Sequence, residues 1–239
     1  MTRPRSAGPG PVGLPLVERS PSRRLIAARI VHAAIALVIV TSLAVQLVLL
    51  LVGGTDANTG DAQVAVGVGT RLLRLFSYFT IQSNLLVLAV SVTLAVDPGR
   101  DGRLWRILRL DALLGIGITG LVYWTLLAPL VDLRGAALAA GLGFHLVSPV
   151  ATVAAWLLFG PRPRITWTTV AGAYVWPVAW TGCTFIRGAL TGWYPYPFLD
   201  AATAGYPAAL TAVGGVLVLG FVLVLALLVL DRRLPAGSR

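Results

Sequence analysis

A run of polar side chains interrupts an apolar stretch of the sequence between Phe76 and Asn84. Six of these nine residues carry a hydroxyl or an amide: Ser77, Tyr78, Thr80, Gln82, Ser83 and Asn84. Polar groups at membrane depth are costly unless they face protein or water, so such a run indicates a site more than a lipid-facing surface. On one continuous helix, Ser77, Thr80 and Asn84 would be three and four residues apart and would share a face.

The chemistry that this face predicts depends on an imidazole elsewhere in the chain. A threonine hydroxyl is a weak nucleophile near neutral pH and needs an adjacent base, a role that an imidazole suits. His145 is one of two histidines and lies in another apolar segment. We therefore predict that Thr80 and His145 form a catalytic nucleophile–base pair. Asn84 and Ser77 are the candidates to support it or to donate to a developing oxyanion.

Each of these residues also has a structural interpretation that the sequence leaves open. The Thr80 hydroxyl could donate to the carbonyl of Phe76, which is the commoner role of a lone helical threonine. His145 could bond across helices as part of their packing. The polar face would then serve helix association in a non-enzymatic membrane scaffold, or line the path of a transporter or a lipid or ion conduit.

Pro149 follows His145 by four residues, so the His145 carbonyl has no N–H partner in a regular helix, and we expect a kink there. In the fifth apolar segment, Trp176, Trp180 and Arg187 share a helical face, and Pro177 predicts a bend. The two tryptophans are candidates to line a substrate cavity, with core packing as their alternative.

Arg187 lies near the predicted outer boundary, where it could hold a carboxylate or phosphate head group or extend toward the interface. The loop that follows combines closely spaced aromatic residues with two prolines. This density predicts a stiff cap over the site, with Tyr196 and Phe198 next to the substrate. An ordinary aromatic belt is the alternative.

Composition places these residues in a polytopic all-α membrane protein. Of 239 residues, 57% are hydrophobic and only 12% are charged, where a soluble domain carries about 25%. The net charge of +10 comes from arginines clustered between apolar runs, a topology signal that argues against a nucleic-acid partner. One cysteine, Cys183, excludes an intramolecular disulfide and a multi-thiolate metal site. We expect neither a metal nor a cofactor.

A membrane-spanning helix needs about 20 apolar residues, and this rule predicts a six-helix bundle. The predicted spans are 24–53, 70–95, 104–131, 136–160, 165–187 and 207–230. The predicted membrane domain, 24–230, follows a disordered tail at 1–23 that is rich in Pro, Gly, Ser and Arg. A second tail covers 231–239.

Arginine placement predicts the orientation of these spans. Most arginines fall on the side of the N-terminus, so both termini should be cytoplasmic. The absence of lysine is typical of a GC-rich genome and indicates a bacterial plasma membrane. Thr80 and His145 each lie ten residues from the predicted outer boundary, or about 15 Å deep. Both side chains should therefore meet near the midplane.

The end of the fifth span resembles a known family. Tyr174, Trp176, Trp180, the Thr191-Gly192 pair and the run Tyr196-Pro197-Phe198-Leu199-Asp200 are similar to the fifth span and following loop of the androgen-induced protein family. That family also includes the androgen-dependent regulator of tissue-factor-pathway inhibitor. The resemblance implies a six-span membrane protein, and some members of the family hydrolyse fatty acid esters of hydroxy fatty acids.

The resemblance also implies which residues act. Family members use an intramembrane threonine on the second span and a histidine on the fourth. By motif position, Phe79-Thr80-Ile81 matches the threonine segment and His145, shortly before Pro149, matches the histidine segment. With the resemblance included, we favour Thr80 as a nucleophile over Thr80 as a packing residue. The expected activity is hydrolysis of a lipid or fatty acyl ester.

Overall fold

A computed structural model describes residues 22–62 and 65–235 and folds them into helices joined by short turns. The helices are α1 (Arg23–Leu51), α2 (Val68–Leu75), α3 (Phe79–Val96), α4 (Arg103–Val122), α5 (Gly135–Leu142), α6 (Ser148–Phe159), α7 (Trp167–Ala173), α8 (Val175–Thr191), α9 (Ala201–Ala204) and α10 (Tyr206–Arg233). A π-helical segment, Tyr123–Leu127, and a 3₁₀ turn, Ala128–Leu130, extend α4. A second π-helical segment, Gly143–Val147, joins α5 to α6.

Within the described residues, five continuous helices are long and apolar enough to cross a membrane: α1, α3, α4 with its extension, the α5–α6 helix and α10. They confirm the prediction of an all-helical chain suited to a membrane bundle. The predicted fifth span is divided at Tyr174 into helices of 7 and 17 residues. Pro177 explains the division, because it leaves the Ala173 carbonyl without a ladder N–H. A sixth crossing and the orientation of the termini stay predictions.

The predicted second span, 70–95, is also divided, and its expected continuity is wrong. Helix α2 ends at Leu75 and α3 begins at Phe79, so Ser77 lies in the turn and does not share a helical face with Thr80. The turn is stabilised by a residue distant in sequence, because the Trp180 indole donates to the Ser77 carbonyl at 2.9 Å. Thr80 consequently lies in the first turn of α3, where backbone N–H groups have no partner within the helix.

Both termini of the described chain are helical. Ser22 caps α1, and α10 runs to Arg233, three residues into the predicted C-terminal tail. The rest of the predicted N-terminal tail, 1–21, and residues 236–239 lie outside the described residues.

The kink expected near His145 takes the form of the π-helical segment before Pro149. The carbonyl of His145, which Pro149 cannot satisfy, accepts a hydrogen bond from the Trp124 indole at 3.0 Å. This segment packs against α1, α3 and α4. Its first residue is Gly143, and any larger side chain there would overlap Ser42 of α1. His145 is therefore held at the centre of the bundle.

Two glycines of α8 give a test of how this helix meets the following loop. A methyl group at Gly188 would overlap the Tyr194 ring, whereas one at Gly182 would have no neighbouring atom within 4 Å. We expect Gly188→Ala to lower stability by about 1–3 kcal/mol through overpacking. Gly182→Ala should raise stability by up to about 1 kcal/mol, because alanine is the better helix former. Thermal unfolding in detergent measures both, and equal shifts would contradict the observed packing.

Candidate active site

Thr80 and His145, the two residues predicted to react together, are in contact. The Thr80 hydroxyl lies 3.3 Å from Nε2 of His145, although the residues are 65 positions apart. Both are buried, with 3% and 1% of their surfaces exposed. The separation is at the long end of the range in which a base can take a hydroxyl proton. The structure thus brings together an alcohol and an imidazole inside the helix bundle.

The surroundings of His145 fix which ring nitrogen carries the proton. Its Nδ1 lies 3.0 Å from the carbonyl oxygen of Gly141, one turn earlier. A carbonyl only accepts hydrogen bonds, so Nδ1 carries the hydrogen and Nε2 presents its lone pair to Thr80. The ring also stacks on Tyr123, with centroids 3.7 Å apart and planes 13° from parallel. The imidazole is therefore held in the tautomer and orientation that a general base needs.

Tyr196, predicted to bind substrate, reaches the nucleophile itself. Its hydroxyl lies 3.3 Å from the Thr80 hydroxyl and accepts from the Thr80 backbone N–H at 3.2 Å. Burial raises the pKa of Tyr196 to about 12, so its proton remains in place at neutral pH. The oxygen is already occupied by a backbone donor, which leaves the O–H free to donate toward the reacting centre.

These contacts form one directed chain of hydrogen bonds. The Thr80 hydroxyl donates to Nε2 of His145, because that nitrogen has no hydrogen of its own. The Tyr196 hydroxyl then donates to the Thr80 oxygen, and the Thr80 N–H donates back to Tyr196. Bonds in such a chain polarise one another. The start of α3 adds the positive end of a helix dipole beside the nucleophile.

The structure places Asn84 beside the predicted pair and Ser77 away from it. Both side-chain N–H groups of Asn84 are used, since they donate to the carbonyls of Thr80 at 2.9 Å and Phe144 at 3.4 Å. Asn84 therefore ties α3 to the His145 segment, which is a supporting position, and its N–H groups are already engaged by these two carbonyls. The Ser77 hydroxyl donates to the Leu73 carbonyl and accepts from Arg187. It supports the turn before α3 and does not meet Thr80.

An apolar cavity of about 80 Å³ adjoins the nucleophile. Its walls come from α3, α4, α8, α10 and the loop after α8, and Thr80 forms part of them. Trp180, Tyr196 and Phe198 line it, as the sequence predicted. His145 is not part of the wall and lies behind two residues that are, Thr80 and Tyr123. A lipid chain in this cavity would thus meet the hydroxyl first, with the base behind it.

Trp176 and Arg187, the other two predicted substrate-binding residues, lie outside the cavity wall. Trp176 stacks on Phe79 with centroids 4.7 Å apart, and its indole donates to the Gln82 side chain at 2.9 Å. It supports the wall from behind. Arg187 contacts Ser77 and the Trp193 ring instead of the cavity. Of the three predicted residues on this face of α8, only Trp180 is part of the cavity wall.

A buried acid in the loop between α1 and α2 supports the site indirectly. Asp56 is only 3% exposed and accepts from Asn58 at 2.9 Å and from the Tyr78 hydroxyl. The Tyr78 ring in turn packs on Tyr196, with centroids 5.8 Å apart. Burial raises the pKa of Asp56, because the carboxylate is poorly solvated there.

This shift predicts a pH-dependent stability. A raised folded pKa means that the folded state holds the proton more tightly than the unfolded chain, so Asp56 destabilises the fold as pH rises from about 4 through the raised pKa. Asp56→Asn keeps an acceptor without the charge. Its melting temperature should exceed the wild type's by a margin that grows with pH, about 2–4 °C per kcal/mol regained. A constant margin from pH 4 to pH 8 would contradict the assignment.

Comparison with known proteins assigns no family to this arrangement. No protein-family model, no curated protein and no solved structure matches the chain. The candidate site therefore stands on its own geometry, and the resemblance of the α8 region stays an expectation.

Proposed function

We propose that this protein is an intramembrane hydrolase of lipid-like acyl esters, with Thr80 as nucleophile and His145 as base. One observation carries the proposal: the Thr80 hydroxyl lies 3.3 Å from the unprotonated nitrogen of His145 and also forms the wall of an apolar cavity. A hydroxyl that only packs between helices needs no oriented imidazole behind it. A hydroxyl that attacks an ester needs both features.

In the first half of the reaction, the Thr80 oxygen attacks the ester carbonyl carbon. Its proton passes to Nε2 of His145 as the C–O bond forms, and the carbonyl oxygen becomes an oxyanion. Tyr196 donates its O–H to that oxyanion. The tetrahedral intermediate then expels the alcohol, whose oxygen takes the proton from His145. The products of this half are the free alcohol and an acyl ester on Thr80.

In the second half, water replaces the alcohol. The water oxygen attacks the acyl carbon while His145 takes a proton from the water. Tyr196 again donates to the oxyanion. Collapse of this intermediate breaks the bond to Thr80, which regains a proton from His145. The released product is a carboxylic acid. The Gly141 carbonyl holds Nδ1–H throughout, so it does the orienting that a carboxylate does in other hydrolases.

The proposal includes a location. We place the protein in a bacterial plasma membrane, with six spans counting α7–α8 and with both termini in the cytoplasm. The ester would then enter from the bilayer, with its chain in the apolar cavity. The interrupted helices around this cavity also resemble the broken helices of transporters, so a conduit for lipid or ions is the competing function.

Turnover separates these two functions. Purified protein in liposomes is given a long-chain 4-methylumbelliferyl ester, and released fluorophore and free fatty acid are both quantified. We expect both products in equal amounts from the wild type and neither above background from Thr80→Ala. Transfer of intact ester or of ions across the bilayer, without product, would favour the conduit and remove the hydrolase.

A further inference from the structure

Two arginines share one tryptophan beside the cavity. The guanidinium carbon of Arg187, from α8, lies 4.5 Å from the ring centroid of Trp193, and that of Arg74, from α2, lies 5.1 Å from it. The two charges are therefore no more than about 10 Å apart. Like charges at this distance repel, and a site that holds both is stabilised by an anion between or beside them.

The donors of this arginine pair are not all used. Arg187 gives one N–H to the Ser77 hydroxyl, but its Nε and its other terminal nitrogen are buried and find no hydrogen-bond partner among the residues that the structure describes. Neither arginine forms an ion pair with any carboxylate within residues 22–62 and 65–235. Buried donors without acceptors are costly and rare in folded proteins. The arrangement thus has the donor geometry and the charge of an anion site.

The site lies close to the nucleophile. Arg187 bonds to Ser77, which precedes Thr80 by three residues, a chain separation of at most about 10 Å. The Ser77 carbonyl accepts from Trp180, whose ring lines the cavity. Because Ser77 and Thr80 are close in the chain, an anion held by Arg187 and an ester attacked by Thr80 would lie on neighbouring sides of the turn between Leu75 and Phe79. The bound molecule must carry both groups near each other.

We propose that Arg74 and Arg187 bind the phosphate of a glycerophospholipid whose acyl ester reaches Thr80. In such a lipid the phosphate and the nearer ester are on adjacent glycerol carbons. One molecule can therefore place its phosphate at the arginine pair and its ester at Thr80. A carboxylate at the far end of a long acyl chain would be too far from the ester to reach the arginine pair. Guanidinium groups pair with phosphate oxygens through two parallel N–H bonds. This assignment rests on the proposed function and specifies its substrate class.

The test compares two esters with the same acyl chains, one with a phosphoglycerol head group and one with a free hydroxyl in its place. Fatty acid release is measured in mixed micelles from phosphatidylglycerol and from diacylglycerol with the same acyl chains. We expect Arg187→Gln to raise the KM for phosphatidylglycerol at least roughly tenfold, as expected for loss of a charge-assisted bond. Arg74→Gln should raise it several-fold. Diacylglycerol turnover should stay within about twofold, which also shows that each variant is folded.

The chain offers a matched control. Arg134 is an exposed arginine paired with Asp132 at 2.7 Å, so Arg134→Gln should leave both KM values unchanged. Arg187→Lys keeps the charge but loses the forked geometry and should recover only part of the affinity. If Arg187→Gln slows both esters equally, or if the wild type treats the two esters alike, the phosphate assignment is wrong and the hydrolase proposal stands.

A binding measurement tests the phosphate assignment without any turnover. We expect Thr80→Ala protein in detergent to bind dihexanoyl phosphatidylglycerol in calorimetry, and Arg187→Gln in the same background to bind it at least roughly tenfold more weakly. Inorganic phosphate should compete poorly, because it lacks the acyl chains. Equal binding by the two proteins, or inorganic phosphate that binds as tightly as the lipid, would overturn the proposal. A wild type that binds the lipid but hydrolyses no ester would remove only the hydrolase.

Discussion

Replacing Thr80 with alanine is expected to lower ester turnover by about 10³-fold or more, to the background level, because it removes the atom that forms the acyl bond. His145→Asn should lower kcat by about 10²–10⁴-fold. Asparagine can still donate to the Gly141 carbonyl, as His145 Nδ1 does, so this variant removes the base and keeps that hydrogen bond. Initial rates of fatty acid release with increasing protein measure both losses.

The reductions in turnover caused by Thr80→Ala and His145→Asn should not be additive. Residues that act in one proton transfer lose most of their effect once either is gone, so the double variant should be no slower than Thr80→Ala alone. Thr80→Ser keeps a nucleophile and should retain measurable turnover. Thr119→Val is the matched control, because Thr119 lines the same cavity with a buried hydroxyl that has no hydrogen-bond partner within the described part of the chain. Additive losses, or an equal loss in Thr119→Val, would indicate packing damage instead of chemistry.

Tyr196→Phe carries the second large prediction. Loss of one oxyanion donor typically lowers kcat by about 10²–10³-fold, and we expect a loss in this range with little change in KM. The ring should stay in place, since it stacks on Phe198 with centroids 5.4 Å apart and planes 1° from parallel. The pKa of about 12 also predicts that activity does not fall through Tyr196 ionisation below about pH 10.

Tyr174→Phe is the control for this variant. Tyr174 lines the same cavity, and its buried hydroxyl has no hydrogen-bond partner in residues 22–62 and 65–235. Removing that oxygen should leave kcat within about twofold of the wild type and should not lower stability, because no bond is lost. If Tyr174→Phe and Tyr196→Phe slow turnover equally, the Tyr196 hydroxyl acts on cavity shape alone. The oxyanion assignment would then be wrong.

The Thr80–His145 pair could be predicted from sequence because its signals are local. A polar run in an apolar segment marks Thr80, and a histidine four residues before a proline marks His145. Helix rise and span boundaries then place both side chains at one depth. The contact at 3.3 Å agrees with that calculation. The pairing of these two side chains is thus readable from sequence, whereas their depth in a membrane stays a prediction.

The break before α3 could not be predicted in the same way. Phe76, Ser77 and Tyr78 include neither glycine nor proline, so nothing in the segment itself marks a turn. The turn depends on Trp180, which bonds to the Ser77 carbonyl from 103 residues away. A continuous helix over 70–95 would put Thr80 in a helix interior, where its N–H donates to the carbonyl four residues earlier. Its actual place in the first turn of α3 frees that N–H for Tyr196.

The contact between Tyr196 and Thr80 is not readable from the sequence for a related reason. Asn84 is near Thr80 in sequence, but its N–H groups bond to the carbonyls of Thr80 and Phe144. Tyr196 is 116 residues from Thr80 and reaches it only because the loop after α8 folds over the bundle. The aromatic and proline content of that loop predicted a cap. It could not show which of its side chains would touch the nucleophile.

Covalent labelling of Thr80 tests the central claim most directly. Purified protein is treated with a fluorophosphonate, whose phosphorus a nucleophilic hydroxyl attacks with loss of fluoride, and the labelled peptide is identified by mass spectrometry. We predict a single adduct on the Thr80 oxygen in folded wild type, none after heat denaturation and none in His145→Asn. An adduct elsewhere, or equal labelling of Thr80 without His145, would contradict a threonine activated by this histidine.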